Sequence, residues 1–290
     1  MGRYYALNDG LSADVADAIE DHYKPRFAGD TLPRNDVGVV VALADKLETL
    51  VGMFGIGNLP TGDKDPFALR RHALGVVRLL IEAKMPLEVD AAIAVASSSF
   101  GKRLTHSIGE LQPFVYERLK AYFKDGDRPA RRVSDTTVPT TYSAHELEAV
   151  LAHKPQKLFE IEQLLFAVMA FAALPEAPAL AAANKRIGNI LKKVPEVDAH
   201  VSEVLLTEPA EIALYAAMNK VLPQANAQFE AGDYTASLQT LAALRAPVDA
   251  FFDGVMVNAE QADLRLNRQG LLKILHGAMN RVADLSRLAT

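Results

Sequence analysis

The chain has 290 residues, half of them hydrophobic, enough for one large domain or two ordinary ones, each with its own core. It contains no cysteine, which excludes disulfides, thiolate-ligated zinc, iron–sulfur clusters and thiol nucleophiles; any chemistry must use oxygen and nitrogen groups. The formal net charge of −5 offers nucleic acid no global attraction, so binding of that kind has to come from local basic patches.

No window of 18 or more uninterrupted apolar residues occurs, and the first residues lack the basic, apolar and small-residue succession of a signal peptide. A soluble, cytoplasmic protein with no membrane partner is the expectation. Along the chain, residues 36–54 (DVGVVVALADKLETLVGMF), 66–84, 155–173, 179–194 and 264–288 are too long for strands and place apolar residues three and four apart. Sustained apolar–polar alternation is scarce, so an all-α fold is predicted. Helix starts are marked by Asp65-Pro66 as N-cap and first helical residue, by Ser143-Ala-His-Glu146 as a capping box, and by Thr207 ahead of Pro209.

The clearest break in composition is residues 125–142 (DGDRPARRVSDTTVPTTY), polar, without helical period, and carrying two prolines and a glycine. It predicts a helical domain over 1–124 with long loops at 24–35 and 55–65, a linker over 125–142, and a helical bundle over 143–290. Within the bundle, AGDYTASLQTLAAL (231–244) reads as one antiparallel helix pair, because no second copy appears at a regular spacing.

The loop Gly57-N-L-P-T-Gly62 has the glycine spacing of a phosphate-cradling loop, but Asp63 stands where the lysine should be and a helix, not a strand, precedes it. Two carboxylates would repel a phosphate, so the loop is read as a helix start. In the helix that follows, Phe67, Leu74, Val77 and Ile81 form the stripe expected to be buried, while Arg71 and Arg78 share another stripe with Arg70 beside them. That second stripe is either a solvated face or a contact for a polyanion. The basic stretch Arg128-Pro-Ala-Arg131-Arg132 offers the same pair of readings.

Residues 179–194 hold four basic residues, Lys185, Arg186, Lys192 and Lys193, and no acidic one. On a helical wheel Lys185, Asn189 and Lys192 align, with Arg186 and Lys193 about a quarter turn away, opposite Leu180, Ile187 and Leu191. Such a face neutralises phosphates, while the amides of Asn184 and Asn189 present donor and acceptor to base edges. Arg265 and Arg268 in DLRLNRQGLL are a second set of RNA contacts, with pairing of Arg265 to Asp263 or Glu260 as the structural alternative. Phe251 and Phe252 are assigned to the core.

The stretches HYKPRFAGDTLP (22–33), ALADKLETLVGMFGIG (42–57) and PTGDKDPFALRRHALGVVRLL (60–80) resemble the β subunit of the bacterial two-subunit glycyl-tRNA synthetase. MGRYYAL at the start, ALAAANKRIGNILKK (179–193), LRAPVDAFFDGVMVNAEQADLRLNRQGLLKIL (244–275) and RVADLSRL (281–288) are similar to the same family in the same order. The resemblance covers essentially the whole chain. Family β subunits are longer, so it implies a C-terminal portion: an HD-like helical domain with a degenerate metal site, then an anticodon-binding bundle. It implies tRNA(Gly) and the synthetase α subunit as partners, and leaves β-subunit self-association open. It also implies that ATP and magnesium are used by the α subunit, with no cofactor, no metal and no catalytic residue in this portion. By that resemblance Asn184, Lys185, Arg186, Asn189, Lys192, Lys193, Arg265 and Arg268 would meet the anticodon, and Arg70, Arg71, Arg78, Arg131 and Arg132 the tRNA body.

The HD-like label raises a rival, metal-dependent phosphohydrolysis, which needs a metal held by histidines and aspartates that include an adjacent His-Asp pair. LADKLETL (43–50) resembles the stretch that supplies the last aspartate, here Asp45, but no His-Asp dipeptide occurs in the chain. His22 and Asp45 alone cannot close such a site, and Asp45 with Lys46 reads as a structural or surface pair. The other histidines show no HExxH spacing, and Ser97-Ser98-Ser99 lacks the G-x-S-x-G turn of a nucleophile and reads as a helix end. A helical protein-interaction scaffold is the remaining alternative.

Overall fold

The amphipathic segments fold as helices in a computed structural model that describes residues 1–124, 141–194 and 196–289, plus the backbone of one two-residue ladder. That ladder pairs β1 (Arg132–Val133) with β2 (Thr136–Thr137) antiparallel; among the described residues every other regular element is a helix. Two compact units result: Met1–Thr141 with Lys154–Ile161, and Tyr142–His153 with Glu162–Thr290. The short excursion Lys154–Ile161, inside the stretch expected to belong wholly to the second domain, thus packs in the first unit. Its backbone bridges Lys157 to Glu88, and its Pro155 carbonyl accepts from the Tyr116 hydroxyl at 2.9 Å.

The first unit runs α1 (Gly2–Asn8), α2 (Ala13–Asp21), α3 (Asp36–Gly55), α4 (Leu69–Glu82), α5 (Val89–Phe100) and α6 (Leu111–Lys124). Ser12 and Asn35 cap α2 and α3 by accepting from the amides of Val15 and Gly38. Helix α3 packs on α4, and α6 on both; Leu43, Leu47, Leu50 and Phe54 of α3, Ala73, Val76, Val77 and Leu80 of α4, and Leu119 and Phe123 of α6 are buried.

Helix α4 begins three residues later than the sequence suggests. Asp65 and Pro66 form a turn, Ala68 takes a left-handed conformation (φ 55°), and the Asp65 carboxylate reaches forward to the amides of Leu69 and Arg70 at 2.7 and 2.9 Å. Asp65 therefore does cap the helix, but from outside the first turn. Phe67 lies off the helix and is exposed, so the expected stripe loses its first member and Leu74 is only half-buried.

The second unit runs α7 (Ala144–Leu151), α8 (Ile161–Ala172), α9 (Ala177–Leu191), α10 (Pro209–Glu230), α11 (Tyr234–Leu241), α12 (Arg245–Gly254) and α13 (Ala262–Met279). The Ser143–Glu146 capping box forms as read. At α10 the cap is Glu208, not Thr207, in a reciprocal box with Glu211, and Pro209 takes the first helical position. The segment expected as one helix over 264–288 breaks at Asn280, whose side chain donates to the His276 carbonyl and accepts from the Leu285 amide before a final 3-10 turn, Leu285–Leu288. Leu165, Phe171, Leu214, Phe251, Leu271 and Leu275 are fully buried in this unit. Among the described residues no single helix is long and apolar enough to cross a membrane.

Candidate nucleic-acid interface

Helix α9 is anchored by its apolar side: Leu180, Ala181, Ala183 and Ile187 are buried, and the helix packs against α12, α13 and the terminal 3-10 turn. Residues three and four apart on the opposite side are thereby left to solvent. Lys185, Arg186, Asn189, Lys192 and Lys193 are all exposed there. Among the described residues none of the five has an ion pair or a side-chain hydrogen bond, so their charge and amide valences are free for a ligand.

Asn184 differs from its neighbours and corrects the sequence reading. It is fully buried, and its amide makes a reciprocal pair with Asn280 at 2.8 and 2.9 Å. One residue before Lys185 it faces the core, so it joins α9 to the end of α13 and has no surface to offer a base.

Two open grooves flank the basic face. One, of about 580 Å³, is lined by Lys185, Arg186, Asn189 and Lys193 with Asn258 opposite. The other, of about 920 Å³, brings Lys185, Asn189 and Lys192 together with His153, Lys273 and His276. Burial lowers the His276 pKa, with Asp284 opposing and Lys192 and His153 adding to the effect.

Arg186 lies 4.2 Å from the ring centroid of Phe252 on α12. Phe251 is core as expected, but Phe252 is only half-buried and carries this guanidinium on its face. The adjacent pair Phe-Phe gave no signal to separate the two; only the packing of α12 against α9 turns one ring outward.

Arg265 and Arg268 do not join the basic face. Arg268 is buried and ion-paired with Glu211 on α10, and it donates to the Met256 carbonyl at 2.8 Å. Glu211 also accepts from the amides of Thr207 and Glu208 at 2.9 and 3.0 Å, so this carboxylate is saturated by the cap it completes. Arg265 is half-buried and donates to the backbone carbonyls of Ala259 and Glu260, not to a carboxylate. Both arginines hold the loop between α12 and α13, and the burial and ion pair of Arg268 correct its assignment as an RNA contact.

In the first unit the three arginines of α4 part company. Arg78 is buried, bonded to Glu82 one turn on and to the carbonyls of Phe27 and Asp30 at 3.0 and 2.7 Å. It ties down the 24–35 loop and cannot reach a ligand, so that assignment too is corrected. Arg70 is half-buried and donates to the Gly62 carbonyl, while Arg71 is exposed. Arg118 of α6, absent from the sequence reading, shares a groove of about 200 Å³ with Arg70 and Arg71. Arg131 lies outside the described residues, and of Arg132 only the backbone in β1 is described.

Around Asp45 the chemistry is cationic. Lys46 is buried and donates to the carbonyls of His22 and Tyr23 at 3.1 and 3.3 Å; burial lowers its pKa against the pull of Asp45 and Asp30. His72 shares a groove of about 250 Å³ with Asp45, Lys46 and Arg71, and burial followed by the Lys46 charge lowers its pKa. An ammonium group in that position repels a divalent cation. Among the described residues no cluster of three or more His, Asp or Glu side chains could hold a metal.

Residues 1–136 match the family model described as glycyl-tRNA synthetase beta subunit, and residues 180–285 match the model of the DALR anticodon binding domain. The glycine–tRNA ligase β subunit of Polaromonas naphthalenivorans is 69% identical over 289 residues, 99% of this chain. Those of Paracidovorax citrulli and Dechloromonas aromatica are 65% and 58% identical over the whole chain. Over essentially its whole length the chain is similar to glycine–tRNA ligase β subunits. It spans 39% of the length of each of these three relatives. Within the family frame, the exposed face of α9, the Arg186–Phe252 stack and Asn258 all fall in the stretch similar to the anticodon binding domain, and Arg70, Arg71 and Arg118 in the β-subunit stretch.

Proposed function

We propose that this chain is a tRNA-binding part of a glycine–tRNA ligase: the second unit, as an anticodon-binding bundle, engages tRNA(Gly), and the first, an HD-like helical unit, meets the tRNA body. The observation that carries the reading is the unpaired basic face of α9 inside the stretch similar to an anticodon binding domain. Lysines free of carboxylate partners are the form in which a protein of net charge −5 attracts phosphate locally. The work of the chain is positional. Phosphate contacts from Lys185, Lys192 and Lys193 orient the tRNA so that its acceptor end reaches the α subunit, which uses ATP and magnesium to form the glycyl-adenylate and charge the tRNA. No bond is made on this chain, and no cofactor is assigned to it. Arg71, with Arg70 and Arg118 beside it, supplies the contact to the body. The chain acts in the cytoplasm, with the α subunit as its protein partner.

The test is binding of the 290-residue chain to tRNA with a glycine anticodon, and to the same tRNA with its anticodon replaced, across a salt series. Affinity should fall with salt and be weaker for the replaced anticodon. Lys185→Ala and Lys192→Ala should each lower the salt slope by about 1 while leaving stability within about 0.5 kcal/mol. Absence of binding even at low salt would overturn the reading.

A further inference from the structure

Two guanidinium–phenyl stacks on the second unit differ in how their charge is used. Arg281 lies 4.0 Å from the Phe229 ring centroid, with its nitrogens bonded to Glu230 and Asn226. Arg186 lies 4.2 Å from the Phe252 ring centroid and, among the described residues, has no carboxylate or amide partner. The first stack is closed: its charge is neutralised and its donors are used. The second keeps a full charge and a free donor fork on an exposed side chain, an arrangement that adds little to folding and is suited to a ligand.

The groove around Arg186 fits one class of ligand. Ala182, Ile190 and Val194 give it apolar surface, while Asn189 and Asn258 bring two amides with no hydrogen bond among the described residues. Lys185 and Lys193 stand at the same groove. An unpaired nucleobase needs a flat polarisable plane to stack on, paired donors and acceptors for its edge, and cations near its phosphates. No carboxylate lines the groove, as a polyanion requires.

We propose that the Arg186–Phe252 stack seats one unpaired nucleobase of the bound RNA, with the guanidinium plane held flat by the ring beneath it and the amides of Asn189 and Asn258 on the base edge. This rests on the RNA-binding reading above and adds to it a stacking contact, distinct from phosphate attraction.

The experiment separates plane from charge. Arg186→Lys keeps the charge and removes the plane, Phe252→Leu removes the platform without changing charge, and Lys193→Ala removes a charge alone. The probe is tRNA with a glycine anticodon carrying 2-aminopurine at one loop position in turn, titrated into the full chain across a salt series. Arg186→Lys and Phe252→Leu should each weaken binding about tenfold at an unchanged salt slope, and Arg186→Lys should abolish the fluorescence change at the seated position. Lys193→Ala should instead lower the slope by about 1. Because Arg186 is exposed, its lysine variant serves if Phe252→Leu fails to fold. Wild-type affinity and fluorescence change in Arg186→Lys would overturn the seat and leave Arg186 a phosphate contact, with the RNA-binding reading intact. Failure of the unaltered chain to bind any tRNA at low salt would overturn both.

Discussion

Arg268 shows how far burial changes what a residue is for. Its guanidinium meets Glu211 and the Met256 carbonyl in a site with almost no solvent, and Glu211 at the same time closes the cap of α10. Removing one partner of such a pair leaves the other charged and desolvated, so Arg268→Ala should cost about 3–5 kcal/mol in urea unfolding. Any loss of tRNA binding in that variant should track the unfolded fraction, whereas loss in a Lys185 variant should not. The sequence shows Arg265 and Arg268 beside Asn267 as a polar cluster at helical spacing, and nothing in that spacing separates a cluster facing solvent from one facing α10. The basic residues of α9 were legible for a simple reason: four cations without an acid cannot all be buried, so most of them had to be exposed.

At the scale of the element, α13 explains why its polar residues are unavailable. Asn267, Gly270 and Lys273, three apart, form one stripe against the 197–202 loop: Asn267 brackets Ser202 through both its amide and carbonyl, and Lys273 donates to the Val197 carbonyl at 2.6 Å. Gly270 lies between them, where a Cβ would collide with the backbone carbonyl of His200 and crowd that of Asp198. Backbone cannot give way as a flexible side chain does. Gly270→Ala should therefore destabilise by at least about 2 kcal/mol, measured by chemical unfolding, although alanine is the better helix former. The same logic governs α4. Arg71 and Arg78 share a helical stripe in the sequence, but the 24–35 loop covers the far end of the helix and leaves Arg71 alone in solvent.

At the scale of the whole molecule, two histidines and two aspartates make stability fall on acidification. His72 and His276 have pKa values lowered chiefly by burial, so below about pH 6.5 the unfolded chain binds protons that the folded chain refuses, and stability falls. The Arg34 and Arg26 guanidinium groups hold Asp21 and Asp30 far below the usual carboxylate range. Their contribution is complete above about pH 4 and is lost as pH falls through the folded-state values. Urea midpoints should therefore drop in two stages on acidification. The double variant His72→Gln/His276→Gln should flatten the first stage, between about pH 7 and 5, and leave the second in place.

What the sequence determined by itself is the helical class, three of the five long helical segments, the capping box at Ser143 and the basic face of α9. Each follows from spacing along one chain, since hydrophobic period and local charge act within a few turns. Helix ends were less legible: α4 and α10 start away from the expected caps because Asp65 reaches over a left-handed Ala68 and Glu208 finds its partner in Glu211. Only the tertiary structure decided which polar residues stay free. Asn184, Arg78 and Arg268 are drawn inside by Asn280, Glu82 and Glu211, while Phe252 is turned out to meet Arg186. Burial of a polar group depends on a partner that meets its hydrogen bonds, and for Asn184 and Arg268 that partner lies 96 and 57 residues away along the chain, beyond the reach of any local pattern.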